Sequence, residues 1–454
     1  MLKSSIVVQN TSSSTNLSLL LCYIIFMKYL ERYISSNIER LIKPKLVLEL
    51  QGLRSVGKST VLEKMARDNN YTYIKCNDFD FKTKFDQDPS ATFNDLLTKA
   101  TAKMKVLIFD ESQVLENLPQ LVKDLVDTND DYSVILSGSR YITRTQLGGT
   151  DPLVGRVLAK LILEPLLPSE INNKSFKETF LYKLINAQNP YTFLENYASK
   201  GSYKRDDFQK YIIRGGLPFQ YTNESTGGEL ETELYAKSYI ETTLSKTLIE
   251  ERIDIVALRA LFSYFFTYTS EVINISNIAD NLKISTKAIN NYIAILESLY
   301  LIKILRPLKN SYVQEMRAQP KIHITDTGIA CAVSKKHKFS DLNADIRGRL
   351  FETTLVNMLA TANEYLFNKY DTKFFRSTKN EVDFVFTNEQ FAIGIEIKSS
   401  INITDKDYRG LRELKKLTLE KGKKFVGIII YGGDYLVKLH ADDFFLLPAK
   451  ELLD

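Results

Sequence analysis

Between Leu46 and Leu166, five short apolar runs alternate with stretches whose apolar residues recur at helical spacing: LVLELQ, YTYIKCN near Tyr71, VLIFDES, SVILSGSR and LAKLILEPL near Leu158. Such runs, separated by helical or mixed segments, predict a parallel sheet covered by helices on both faces. From Ser169 to about Glu250 the pattern is mostly helical and breaks at YIIRGGLPFQY, where Gly215, Gly216 and Pro218 interrupt it. We read this stretch as a helical lid on the preceding domain. An apolar-faced helix, a second over Ile275 to Leu282, a third over Thr286 to Leu299 capped by Ser285, and the strand-like YLIKILRPL follow in the order of a winged helix-turn-helix. Its recognition helix offers Lys287, Asn290, Asn291 and Tyr292 outward. DNA contact and a role as connector between domains are both open for it.

The C-terminal part repeats the alternation. GRLFETTLVNMLATAN is an amphipathic helix with Leu350, Phe351, Leu355, Met358 and Leu359 on its core face and Glu352 beside it. Strands TKFFRS, EVDFVF and FAIGIEIK, a helix through DYRGLRELKKL and the strand KFVGIIIYG predict a second α/β domain. Strict alternation puts Val382, Phe384 and Phe386 on one face and Glu381, Asp383 and Val385 on the other. With TNEQ as the hairpin loop, Phe386 pairs with Phe391 and Asp383 with Gly394. Glu396 then lies diagonal to Asp383 on one face with Lys398 beyond it, and Gly394 leaves room for a cation between the carboxylates. That arrangement suits Mg²⁺-assisted phosphodiester hydrolysis, with Lys398 steadying the nucleophile or the developing charge. The plainer alternative is a polar hairpin face on which Glu381 or Glu396 pairs with Lys398 or Lys379.

The first sheet carries the clearer chemistry. GLRSVGKST has the spacing GxxxxGK followed by Ser, with a strand before it and a helix from Lys58 after it. Gly52 and Gly57 let the loop amides turn toward phosphate oxygens, Lys58 reaches the β- and γ-phosphates, and Ser59, followed by Thr60, offers a hydroxyl to Mg²⁺. At the end of VLIFDES, Asp110 would hold Mg²⁺ and Glu111 would polarise the attacking water. Ser139, after the SVILSGSR run, is the expected γ-phosphate sensor. Arg140 and Arg156 are either phosphate-contacting arginines or surface ion pairs.

Composition narrows the chemistry further. The chain has 454 residues, three cysteines far apart, three histidines and a net charge of +5, so disulfide frameworks, Cys- or His-based metal sites and most Ser-His-Asp triads are disfavoured. A reducing, cytoplasmic setting fits. Residues 1–26 carry one charge and an apolar run from Leu17 to Phe26 that is too short to span a bilayer, so no stable membrane insertion is expected. We read them as an extension preceding a domain that begins at Met27, against a secretory-leader alternative.

Taken in order, GLRSVGKST, LIFDESQ, ILSGSR, GRV, GGLP, KIHITDTGIACAV, GRLFE and EVDFVF followed by IEIKSS resemble the motifs of a large group of prokaryotic AAA-type ATPases. These pair a P-loop domain with a C-terminal domain of unknown function similar to PD-(D/E)xK nucleases. The resemblance covers nearly all of the chain from Met27. It implies that Lys58, Ser59, Asp110 and Glu111 act on nucleotide, and it maps the nuclease-like motif onto Glu352, Asp383, Glu396 and Lys398. Leu53 departs from it, standing where a proline or small residue is usual.

The expected fold is thus α/β: a parallel-sheet P-loop ATPase core (27–168), a helical lid (169–250), a winged-helix segment (251–335) and a nuclease-like α/β domain (340–454). ATP and Mg²⁺ are the expected cofactors, with Glu352, Asp383 and Glu396 as a second metal set. DNA, a protein partner and a homo-oligomer are the candidate partners. The competing functions are a nucleotide-dependent regulatory switch that cuts nothing and a small-molecule kinase on the same loop.

Overall fold

Val47, Leu48 and Leu50 are buried in a strand whose neighbours are equally apolar, as a sheet covered on both sides requires. In the computed structural model, which describes residues 29–99, 105–138, 152–197, 203–222, 233, 234, 236–239, 241–243 and 254–454, this strand is β1 (Val47–Gln51). With β2 (Thr72–Lys75), β3 (Lys105–Asp110), β4 (Tyr132–Ser137) and β5 (Val157–Ile162) it forms a five-stranded parallel sheet in the order β2-β3-β4-β1-β5. Leu48, Leu50, Val106, Ile108 and Ile135 pack with Val61 and Leu62 of the helix Lys58–Asn69. Val47, Leu107, Phe109, Val134 and Leu136 pack with Leu118, Val122 and Leu125 of the helix Leu118–Thr128 on the other face. The chain is α/β with a P-loop ATPase core. The expected extension 1–26, Ser139 and Arg140 lie outside the described residues.

The stretch read as a lid divides its contacts. The hydroxyl of Tyr239 donates to the Arg54 carbonyl in the phosphate loop at 3.0 Å. The helices Phe180–Asn186 and Pro190–Asn196 instead lie against the C-terminal domain, where Tyr197 donates to Glu451 at 3.0 Å and Glu195 pairs with Lys438 at 2.7 Å. The GGLP and DTG motifs form one knot: Asp326 accepts from the Gly216 amide at 2.7 Å and caps the helix Thr327–Val333 through the Ile329 amide at 2.9 Å. Gly215 has φ of +70°, and a Cβ there would lie 2.4 Å from the Asp326 carboxylate, so the sequence needs glycine at this turn.

Helices Ile255–Thr267, Ile275–Leu282 and Thr286–Ser298 precede a two-stranded antiparallel ribbon. Its strands are β6 (Ile302–Leu305) and β7 (Lys321–Ile324), pairing Ile302 with Ile324 and Leu305 with Lys321. Ser285 caps the third helix, accepting from the Ala288 amide at 3.2 Å. Lys287, Asn290 and Asn291 are exposed. Tyr292, expected outward, is buried, because it falls on the apolar stripe of Ile289, Ile293 and Leu296.

The C-terminal sheet runs β12-β13-β11-β10-β9-β8, from β8 (Asp371–Arg376), β9 (Glu381–Thr387), β10 (Phe391–Lys398), β11 (Lys424–Tyr431), β12 (Val437–Leu439) and β13 (Phe444–Pro448). The helix Ala344–Tyr365 covers the face of Phe384, Phe386, Ile393 and Ile395; Leu411 and Leu414 of the helix Arg409–Glu420 cover the other.

Three expectations for this hairpin are corrected. Asn388 turns the chain, accepting from the Phe391 amide, so Thr387 pairs with Ala392 and Gly394 with Val385, two residues from the expected register. Gly394 leaves no room for a cation, since a Cβ there would already lie 2.9 Å from Leu411. Strict alternation fails in β9, where the pairs Lys373–Val385 and Phe375–Val382 leave Asp383 and Phe384 opposite Phe374 alone. This bulge puts Val382 on the same side as Val385 and re-aims Asp383.

Candidate functional site

The phosphate loop is built by two glycines and a buried arginine. Gly52 (φ +143°) brings the chain so close to β5 that a Cβ would lie 2.3 Å from the Leu163 carbonyl, and Gly57 (φ +102°) opens the helix Lys58–Asn69. Side chains of that helix do not cap its first turn, so its amides face the loop concavity. Lys58 is buried and donates to the carbonyls of Gly52 at 2.9 Å and Leu53 at 3.0 Å. Burial pushes its pKa down to about 8, against the opposing charges of Glu111 and Asp110. Ser59 follows, half-buried, and Thr60 is exposed. Arg32, from before the first strand, donates to the Val56 carbonyl of the loop at 2.8 Å and pairs with Glu170 at 3.2 Å.

Asp110 ends β3 fully buried and is oriented by two donors, the Tyr73 hydroxyl at 2.7 Å on Oδ2 and the Ser137 hydroxyl on Oδ1. Burial and then this bond raise the Tyr73 pKa, so the phenol stays a donor; Glu63 and Ser59 also lie near it. Ser59 and Asp110 thus both neighbour the Tyr73 hydroxyl, and their oxygens are the hard donors that suit Mg²⁺ with water in its shell. Glu111 adopts a left-handed backbone (φ +55°), and its Oε2 accepts from the Gln113 side chain. The sheet thus brings together Gly52, Gly57, Lys58, Ser59, Thr60, Asp110 and Glu111. Arg156 is not among them: it stands at the amino end of β5 and makes a two-pronged pair with Asp127 at 2.9 and 3.0 Å.

The C-terminal carboxylates are organised differently from the expected single face. Glu352 comes from the helix Ala344–Tyr365, whereas alternation along β10 puts Glu396 and Lys398 on the side of Gly394 and the helix Arg409–Glu420. Asp383 lies between, where the β9–β10 ladder stops: Oδ2 accepts from the Ile397 amide at 2.9 Å. Its Oδ1 faces a residue that pattern reading missed. Lys321 of β7, 2 % exposed, places Nζ 2.9 Å from Glu352, 2.6 Å from Glu381 and 3.1 Å from Asp383. Burial opposes the ammonium, but the charges of Glu352, Asp383 and Glu381 outweigh it and hold its pKa well above the ordinary value. Lys398 pairs with Oε1 of Glu396 at 2.6 Å, while Oε2 of Glu396 is buried without a hydrogen-bond partner.

These groups share one electrostatic system. Burial and the Asp383 charge raise Glu352 to about 8 and push Glu396 well above the carboxylate range. Burial works against Asp383 too, but Lys321, Lys398 and the Ile397 amide keep its pKa below the ordinary value. Among the described residues no three His, Cys, Asp or Glu side chains form a group that could hold a metal ion. With Lys321 in place, Glu352, Asp383 and Glu396 do not fit a divalent ion: an ammonium already takes the first two. The one signal for Lys321 in the sequence was its place at the head of KIHITDTG.

A family model described as an AAA domain matches residues 44–172, and two domains of unknown function, DUF8612 and DUF4143, match 205–340 and 347–452. No curated protein matches the chain. Solved structures similar to it include the Aeropyrum pernix ORC2 protein in ADPNP-ADP complexes, at 12% identity and TM-score 0.31 over 78% of this chain and 97% of that one. The replication initiator DnaA bound to AMPPCP and single-stranded DNA follows at 12% and 0.28, over 60% and 89%. The Thermotoga maritima RuvB Holliday junction branch migration motor is similar at 15% and 0.26, over 64% and 89%. No helix among the described residues is long and apolar enough to cross a membrane. From its family match and its sheet, the segment 44–172 has the fold of an AAA-type P-loop ATPase domain.

Proposed function

We propose that the chain is an ATP hydrolase. The loop amides from Gly52 to Gly57 and the Lys58 ammonium hold the β- and γ-phosphates, Ser59 and Asp110 are the residues that would hold Mg²⁺, and Glu111 draws the proton of the attacking water. Bound Mg²⁺ would neutralise phosphate charge; Tyr73 and Ser137 keep Asp110 aimed at it. The observation that carries this reading is the placement of Lys58, Asp110 and Glu111 at the carboxyl edge of one parallel sheet. Lys58→Ala should abolish phosphate release from ATP; undiminished hydrolysis would sink the reading. Phosphate transfer to an acceptor in place of free phosphate would support a small-molecule kinase.

For the C-terminal domain the nuclease-like reading assigns Asp383, Glu396 and Lys398 to phosphodiester cleavage, with DNA reached through the exposed Lys287, Asn290 and Asn291 of the winged-helix segment. A second reading is favoured by Lys321: the domain is a regulatory partner moved by the nucleotide state and cuts nothing. Metal-dependent DNA cleavage by the wild type, lost in Asp383→Ala, decides for the first; intact ATP turnover with no cleavage decides for the second.

A further inference from the structure

Lys321 belongs to the ribbon, not to the sheet whose carboxylates it holds. Its strand partner β6 reaches the other way, toward the nucleotide domain: Lys303 pairs with Glu164 at 2.8 Å, and Tyr300, just before β6, donates to Gln51, the residue preceding Gly52. One short piece of antiparallel sheet therefore touches the strand that feeds the phosphate loop and, through Lys321, the carboxylate cluster. Within that cluster a buried ammonium sits within 3.1 Å of three carboxylates. A divalent ion added beside this buried ammonium would set two cations within a few ångströms of each other, where like charges repel more strongly than in water. Taken out, Lys321 would leave Glu352, Glu381 and Asp383 without the ammonium they share, with Arg376 3.7 Å from Glu381 and the charge of Lys398 acting on Asp383, an oxygen-rich setting of the kind that hard cations fill. Glu396, whose carboxyl feels the charges of Asp383 and Lys321, adds a second observation, because its Oε2 is buried without a partner.

We propose that Lys321 is a tethered counter-cation: docking of the ribbon and binding of a divalent metal ion by Glu352, Asp383 and Glu396 exclude one another. The ligand set rests on the nuclease-like reading, but the exclusion requires no cleavage. The test counts Mn²⁺ ions bound to the nucleotide-free full chain by electron paramagnetic resonance. Lys321→Met should bind one Mn²⁺ per chain at least tenfold more tightly than the wild type, and the added substitution Asp383→Asn should remove that site. Mn²⁺ should also raise the melting temperature of Lys321→Met and leave that of the wild type unmoved. If Lys321→Met does not fold, the pair Lys321→Met with Glu381→Gln, which relieves one like charge and keeps the three ligands, is read in its place. Equal Mn²⁺ binding with and without Lys321, whether one ion or none, overturns the proposal. A gained Mn²⁺ site without DNA cleavage would leave it standing while the nuclease reading falls.

Discussion

Arg32 donates through Nη1 to the carbonyl of Val56, so a side chain from outside the sheet fixes the end of the phosphate loop just before Gly57. The same guanidinium reaches the Glu164 carbonyl and the Glu170 carboxylate. Arg32→Ala leaves the buried Glu170 without its counter-charge, held by the Tyr33 and Leu167 amides, which should cost about 3–5 kcal/mol in urea unfolding. Nucleotide affinity should weaken with it. A variant as stable as the wild type would show that this pair does not hold the loop.

Tyr73→Phe removes one of the two donors on Asp110 without changing the ring's packing. Groups that orient a metal-binding carboxylate typically matter by about 10- to 100-fold in metal affinity or turnover. The Mg²⁺ concentration needed for half-maximal ATP hydrolysis should therefore rise, while binding of nucleotide without Mg²⁺ stays as it was. A uniform loss of both would indicate damage to the sheet.

The depressed pKa of Lys58 gives nucleotide binding a pH dependence with a definite sign. Phosphate favours the charged ammonium, so affinity should be level below about 8, the value to which burial lowers this group. Above it, affinity should fall by about tenfold per pH unit until the pKa of the bound form is reached. Fluorescent-nucleotide titrations across that range would display the slope. Lys58→Arg, whose guanidinium stays charged, should lack it.

His323 is fully buried beside Lys321, and burial, then that positive charge, lower its pKa from 6.5 to about 3. The unfolded chain takes up this proton first, so the contribution to stability is complete above about pH 6.5 and is lost as pH falls toward 3. Each unit below the upper value should remove about 1.4 kcal/mol from this group alone. Urea unfolding of His323→Gln, compared with the wild type at neutral and mildly acid pH, should show a flatter acid limb.

The nucleotide half was legible in the sequence because its signals are local. GLRSVGKST and VLIFDES each carry strand, turn and chemistry within one short segment, and a parallel sheet then has to bring their ends together. The donors on Asp110 were less visible, since Tyr73 and Ser137 arrive from neighbouring strands. In the C-terminal half the strands and helices could be read from period alone, but the geometry of the hairpin could not. A turn set by Asn388 moved the register by two residues, and a bulge at Asp383 broke the alternation on which the single-face picture depended. Lys321 was invisible to pattern reading for a different reason: a lysine at a strand start looks solvated until a distant segment supplies three carboxylates around it.

The ribbon also bears on how this protein can be taken apart. Sequence similarity divides it at residues 340 and 347, between two families of unknown function. Lys321 falls on one side of that cut and Glu352, Glu381 and Asp383 on the other. A fragment severed there would inherit three acids and leave the base they share behind. The unit of sequence ancestry and the unit of charge balance do not share a border in this chain.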